Sequence, residues 1–374
     1  MTLRALFFVS DLLGGGAQRT LLNLAAAMPR DSCQVELAIG GPDGPARRWI
    51  EPSLPVHDLG SDRLRRAVWP LARLIRARRP DIVLATMVDA NVAAYAALRL
   101  AGVRSALALR ETNSQRARGD IGAVRRWLSR FAYRRADLVI ALSEGVRREL
   151  IADFALDPAR TVTIGNPVNV AATAAAAADA RARAAPWAAR WSDPTVVAIG
   201  RLHRQKGFDI LLAALADHTP PHARLVILGD GGDRAALEAE ARRRGLVERV
   251  WFAGFVADPV PFLAHAAAFT LSSRWEGFGH VLVEAMAAGA PVVSTDCPHG
   301  PADIVRDRDN GLLVPTGDPA ALGRAVATLL ADRTLAARIA ETGRASAARY
   351  EAATIARAYA DTLAAAVTAK RARA

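Results

Sequence analysis

The chain has 374 residues, 52% of them hydrophobic, which is enough to bury a large core and longer than one core usually sustains, so two lobes are expected. The formal net charge of +12 is uneven: residues 1–190 carry 28 arginines against 17 acids, and residues 191–374 carry 21 basic against 20 acidic residues, so the basicity belongs to the first lobe. No stretch reaches the roughly 18–20 uncharged apolar residues of a membrane span, and Cys33 and Cys297 lack metal-ligand spacing, which suits a reducing compartment.

The opening "MTLRALFFVSDLLGGG" has a short apolar run broken by Asp11 and no small-residue cleavage site, so it reads as a first strand entering a glycine turn rather than a signal peptide. Further strands are predicted at 34–39, 82–86, 105–109, 138–141 and 161–164, alternating with helical patterns such as "AQRTLLNLAAAM". An alanine-rich stretch, 169–193, reads as a linker with some helix. The second lobe, 194–348, repeats the alternation with strands at 195–199, 225–228, 250–253, 269–271 and 291–294. A last helix, 349–374, is expected to return to the first lobe, 1–168. Alternating strands and helices build parallel sheets covered on both faces, so the expected class is α/β, two Rossmann-like lobes facing across a cleft. Ligands in such sheets sit beyond the C-terminal ends of the strands.

Two segments of the first lobe combine arginines with apolar helical spacing. "RLRRAVWPLARLIRARR" holds seven arginines between Arg63 and Arg79, with Leu64, Val68, Leu71 and Ile75 on one face, and Pro70 kinking or starting the helix. "IGAVRRWLSRFAYRR" sets Ile121, Val124, Leu128 and Phe131 on one face beside Trp127. Both are read either as sheet-covering helices whose stripe faces the core or as elements drawn to an anionic membrane, with Trp69 and Trp127 as interfacial anchors. Arginine-rich coding habit is an equal source of the charge.

In "SSRWEGFGHVLVEAMAAGAPVVSTD", a strand ends, Gly277 and Gly279 form a turn, and a helix runs to Gly289. Free N–H groups at such a helix start attract anions. Glu276 lies at the turn, and Glu284 lies inside the helix with apolar neighbours, where a carboxylate suits a vicinal diol such as a ribose. Taken alone, the pair reads as a capping glutamate and a solvated helix-face glutamate. Upstream, however, "VVAIGRLHRQKGFDILLAAL" places Arg201 and Lys206 in a loop beyond another strand end, where two cations can neutralise a diphosphate. The glycine turn of "LVILGDGGDRAAL", with Gly229, and the end of "VWFAGFV", with Phe255, would border a nucleotide base.

"GRLHRQKGFDILLAA", "EGFGHVLVEAMAAGAPVVSTD" and "NGLLVPTGD" together resemble the nucleotide-sugar-binding domain of retaining GT-B glycosyltransferases of family 4. "LGGGAQRTLLNLA", "YRRADLVIALSEGV" and "IGNPVN" extend the resemblance over most of the chain, and "DCPHGPADIV" is similar to members that extend lipid-linked oligosaccharides and surface glycans. The resemblance implies Arg201 and Lys206 on the donor diphosphate. It implies Glu276 with the backbone of Gly277 to Gly279 at the transferred sugar, Glu284 on the ribose, and Phe278, His280 and Val281 among the donor-binding residues. Gly15 and Gly16 would face the phosphates from the first lobe, unless they serve only as a tight turn. Many members carry a first-lobe histidine near the reacting sugar. The corresponding stretch "ALALRETNSQR" has none, so Arg110, Glu111 and Asn113 become the acceptor-side candidates. His203, His280 and His299 read as loop or turn residues, and Asn166 and Pro167 as shaping the hinge.

The implied reaction moves a sugar, with retention, from a nucleoside-diphosphate sugar to a glycan or polyprenyl-linked saccharide, at the cytoplasmic face of a membrane. A soluble small-molecule acceptor is the alternative. No cofactor is expected. Metal independence is expected. A dinucleotide-dependent oxidoreductase is disfavoured because Arg19 stands where the third glycine of G-x-G-x-x-G belongs and no acid ends the second strand. A nucleic-acid partner is not expected, since the basic half lacks interleaved aromatics. A GT-B epimerase or phosphorylase, or a non-catalytic nucleotide-sugar binder, fits these motifs less well.

Overall fold

The computed structural model describes residues 2–13, 16–114, 116 and 122–373. The chain divides into two compact units, Met1–Pro167 with Ala352–Ala374, and Val168–Glu351.

The first unit is built on seven parallel strands: β1 (Leu3–Val9), β2 (Cys33–Ile39), β3 (Val56–Asp58), β4 (Ile82–Thr86), β5 (Ala106–Glu111), β6 (Leu138–Ala141) and β7 (Thr161–Thr163). Their order is β3-β2-β1-β4-β5-β6-β7, with Ala5 beside Ile82 where the order reverses. The central strands are buried on both faces, as the continuous run LRALFFV requires, because helices cover each side. These helices include α1 (Gly16–Ala27), α2 (Val68–Arg78), α3 (Val88–Ala101), α4 (Ala123–Arg135) and α5 (Glu144–Phe154). Pro70 falls in the first turn of α2, where its missing N–H breaks no helical bond. The C-terminal helix (Ala352–Ala372) belongs to this unit and buries Ile355, Tyr359 and Leu363.

The expectation of two basic helices with core-facing stripes holds for one of them. In α2, Leu71 and Ile75 are fully buried. In α4, the residues that reach the interior are Ser129, Ala132 and Tyr133, and the apolar stripe is left outside: Val124 is 72% exposed and Trp127 63%. Ile121 lies outside the described residues.

The second unit has six parallel strands: β8 (Thr195–Ile199), β9 (Arg224–Leu228), β10 (Val250–Gly254), β11 (Ala268–Leu271), β12 (Val292–Thr295) and β13 (Leu312–Val314). Their order is β10-β9-β8-β11-β12-β13. The alanine-rich segment is not a linker. Val170–Arg181 forms α6, and Trp187 is buried against Phe262 with ring centroids 6.1 Å apart. Small alanine side chains let α6 pack closely on α9 (Val260–His265) and α10 (His280–Ala288), so the segment is part of the second core. Between α6 and α9 the sheet is covered by α7 (Phe208–His218) and α8 (Arg234–Arg243).

Counted by these units, the first holds 29 basic and 17 acidic residues and the second 20 of each, so the entire net charge of +12 belongs to the first.

Candidate functional site

The site of the second unit forms where its strand order reverses. β8 and β11 lie side by side, with Phe269 opposite Val197, and the chains leaving them turn outward at the same edge of the sheet. One outgoing loop carries Arg201 to Lys206, the other Ser272 to Gly279. Such a switch point opens a crevice because neighbouring connections run to opposite faces. The loops are stitched together: Ser272 Oγ donates to the Lys206 carbonyl at 2.8 Å, Gln205 Nε2 to the Trp275 carbonyl at 2.9 Å, and the Arg274 N–H to the Gln205 carbonyl at 2.7 Å. Arg274 also forks onto both oxygens of Asp209, at 2.8 and 2.6 Å. That guanidinium holds the Asp209 carboxyl below the usual carboxylate range. Gly207, at φ 63°, allows the approach, since a Cβ there would collide with the Ser272 carbonyl oxygen.

At the centre, Lys206 Nζ meets Glu276 Oε1 at 2.6 Å, and the Ser273 hydroxyl donates to the same oxygen at 2.6 Å. Ser273 is fully buried, and its carbonyl accepts the Thr295 hydroxyl at 2.7 Å. Glu276 is nearly buried and its N–H bonds the Pro298 carbonyl at 3.1 Å, so both its backbone and its side chain are fixed. The Lys206 stem lies against Gly200. Burial, with the Glu276 charge adding to it, pushes the neighbouring Cys297 thiol up to about 12 and leaves it inert as a nucleophile. Arg201 is exposed, and its side chain makes no hydrogen bond or ion pair with a described residue.

Gly279, as N-cap, starts α10, and the backbone from Gly277 to Val281 forms the turn at the head of that helix. The Phe278 ring turns away and packs edge-on against Tyr350, centroids 5.2 Å apart, so only its backbone serves the turn. Glu284 lies one helical turn beyond His280, its Oε1 3.5 Å from His280 Nε2. Gly229, φ 137°, sits where a Cβ would strike the Gly200 carbonyl, bringing the β9 loop against the β8 loop. Phe255, just past β10, is 74% exposed. The arrangement offers a fixed cation, a second, exposed cation, a helix start and an oriented carboxylate at one crevice. That set can bind a diphosphate and position a hydroxylated group beside it.

Comparison with known proteins decides the family. The model of "Glycosyltransferase Family 4" matches residues 14–172 and that of "Glycosyl transferases group 1" matches residues 183–346, together most of the chain. The chain belongs to the family 4 glycosyltransferases. This family 4 chain is 42% identical over 150 residues to the lipopolysaccharide core biosynthesis glycosyltransferase LpsE of Rhizobium meliloti, covering 40% of this chain and 43% of the relative. It is 28% identical over 209 residues to a diphospho-undecaprenol N-acetylgalactosaminyltransferase of Campylobacter jejuni, covering 56% of this chain and 55% of that one. The matched stretches thus span about half the length of these curated relatives. Among solved structures, HepE of Anabaena in complex with UDP superposes with a TM-score of 0.83 at 25% identity, covering 97% of this chain and all of that one. The same protein with UDP-glucose gives a TM-score of 0.82. The architecture is GT-B.

The first-unit candidates of this family 4 chain fare differently. Gly16 is the exposed first residue of α1, and Gly15 lies outside the described residues. Arg110 does not serve an acceptor. Its guanidinium has no exposed surface, and Nε bonds Tyr359 Oη at 3.0 Å, Nη1 bonds Thr86 Oγ1 at 2.9 Å and Nη2 bonds Asn166 Oδ1 at 2.5 Å. The returning C-terminal helix covers it, a long-range event that "ALALRETN" does not announce. Glu111 is buried as well, accepting from Tyr133 Oη at 2.7 Å and from the Thr112 N–H at 2.9 Å. Asn113 is the member of the trio that keeps some exposed surface. Sequence reasoning missed Ser273 and Thr295 as supports of Glu276. A small hydroxyl residue just beyond a strand end, three residues before the carboxylate, was the signal available.

Proposed function

We infer that the protein transfers a sugar from a nucleoside-diphosphate sugar to a glycan or polyprenyl-linked saccharide in surface glycan assembly, with retention and without a metal. The observation that carries this reading is the Lys206–Glu276 pair beside the head of α10, at the strand-order switch of the second unit. As the bond from the anomeric carbon to the phosphate oxygen breaks, charge builds on the departing diphosphate. Lys206, Arg201 and the free N–H groups at the head of α10 stabilise that charge as it develops. Glu276 orients the sugar hydroxyls and Glu284 receives the ribose diol. The acceptor oxygen bonds the anomeric carbon from the face the phosphate leaves, and its proton passes to the departing phosphate oxygen. Among the described residues no group of three or more His, Cys, Asp or Glu side chains is placed to hold a metal ion.

HepE binds UDP and UDP-glucose, which supports a uridine nucleotide as the first donor to try. The relatives that act on lipopolysaccharide core and on a diphospho-undecaprenol saccharide support a surface-glycan acceptor. The first unit's charge of +12 supports work at the anionic cytoplasmic face of a membrane. No helix among the described residues is long and apolar enough to cross one.

A thermal-shift screen with UDP, GDP and ADP, followed by transfer assays with the sugars of the stabilising nucleotide, tests the reading. A ligand at a hundred times its dissociation constant stabilises by about 2.7 kcal/mol. No shift with any of the three, or transfer abolished by EDTA and restored by magnesium, overturns it.

A further inference from the structure

The first unit holds an apolar groove that the donor chemistry does not use. Its walls come from three elements: the turn Leu64–Ala67 leading into α2, the outer face of α3, and the start of α4. It encloses about 820 Å³, within the ~300–1,000 Å³ of small-molecule sites. Leu64, Val68, Val92, Ala96, Val124 and Leu128 supply the apolar lining. The groove exists because no described residue covers the stripe of α4 at its N-terminal half. Beyond it the apolar face continues as an aromatic ledge, with Trp127 stacked on Phe131 at 6.0 Å between centroids. A contiguous apolar face of this kind on a folded unit marks a binding surface.

The charges around the groove are asymmetric. Asp89, the acid in its lining, is neutralised by Arg125, which forks onto its two oxygens through Nε and Nη2, each at 2.6 Å. Arg63 and Arg65 line the groove as well, and neither makes an ion pair with a described residue. Two largely exposed indoles flank this region in sequence, Trp69 after Val68 and Trp127 before Leu128.

We propose that this groove seats the prenyl chain of a lipid phosphate, with the phosphate or diphosphate head held by Arg63 and Arg65. The occupant must be apolar along most of its length and anionic at one end. A prenyl phosphate is both, whereas a docked peptide would bring backbone polar groups that these walls give little to bond. Forked guanidinium groups match phosphate oxygens, and exposed indoles beside basic residues suit the level at which such a lipid leaves a bilayer. This deepens the reading of the acceptor as lipid-linked, and rests on it, by stating where the lipid goes.

Titration of the full chain with farnesyl diphosphate, with UDP in excess to occupy the donor site, tests the groove against inorganic diphosphate as control. Farnesyl diphosphate should bind, and geranyl diphosphate more weakly, by up to about fourfold for each buried methylene lost. Arg65→Glu and Ala96→Phe, the second filling the groove, should each weaken binding tenfold or more while the UDP-induced thermal shift is unchanged, which also shows that the variants fold. Equal affinity for farnesyl and inorganic diphosphate, or binding untouched by both substitutions, overturns the proposal. So does a dimer in sedimentation that Ala96→Phe dissociates, since a second copy would then own the groove. A missing UDP shift in the unaltered protein would instead strike the donor reading, which the prenyl titration reads separately.

Discussion

Lys206 and Glu276 stand seventy residues apart in the chain and 2.6 Å apart in the folded unit, each in the loop that follows a different strand. Their contact ties the two loops of the switch point into one surface, and on the proposed function it sets the lysine charge against the donor diphosphate. Replacing Lys206 by Ala should lower turnover by a factor on the order of 10² and weaken nucleoside diphosphate binding. Glu276→Ala should cut transfer to a similar degree while nucleotide binding is largely kept. The double variant should lose less than the product of the two, because neighbours sharing one contact are not additive. Steady-state rates with nucleotide thermal shifts check this, and a nucleotide affinity that collapses in Glu276→Ala contradicts the assigned division.

Ser273 acts through Glu276. Its hydroxyl is one of two donors on Oε1, and both lie at 2.6 Å. Ser273→Ala should reduce turnover about tenfold, the worth of one charge-assisted hydrogen bond. Nucleotide affinity should stay at the wild-type value, and Ser273→Thr should recover part of the rate. A loss confined to thermal stability would make Ser273 a packing residue only.

Arg110 should matter for stability rather than chemistry. Arg110→Met would leave Tyr359, Thr86 and Asn166 without their common donor, at a cost of about 3 kcal/mol in the first unit. Tyr359→Phe should cost about 1 kcal/mol. Urea unfolding followed by circular dichroism measures both. Residual enzyme, assayed well below its melting temperature, should keep its affinity for the acceptor.

The Asp209–Arg274 pair gives an acid-side dependence. Asp209 titrates lower in the folded unit than its ordinary value of 3.8, with the hydrogen bond from Arg274 as the leading cause. Its contribution is therefore full above about pH 4 and is lost as pH falls through the depressed folded value. Asp209→Asn should lower stability at neutral pH by no more than about 1 kcal/mol, since the pair is half exposed. The gap to wild type should narrow as the pH falls below about 4 in thermal melts. A gap that does not narrow with acidification would show that packing, not the ion pair, carries it.

The sequence by itself determined the alternation of strand and helix, because helices on both faces of a parallel sheet leave continuous apolar runs that need no partner to be read. It also determined the glycine turn at the head of α10, since glycines before a helix and a carboxylate at its lip are local chemistry. The three-residue edge strands β3 and β13 escaped notice, whereas β7, equally short, was legible. The role of residues 169–193 escaped as well, because alanine records neither burial nor exposure until Trp187 finds Phe262. Only the tertiary structure decided that Lys206 reaches Glu276, since strand order is set by long-range packing. Only the structure showed that the C-terminal helix seals Arg110 inside, and that the stripe of α4 stays outside. An amphipathic pattern states that a face is apolar, and only the neighbours, brought there by the whole fold, state whether anything covers it.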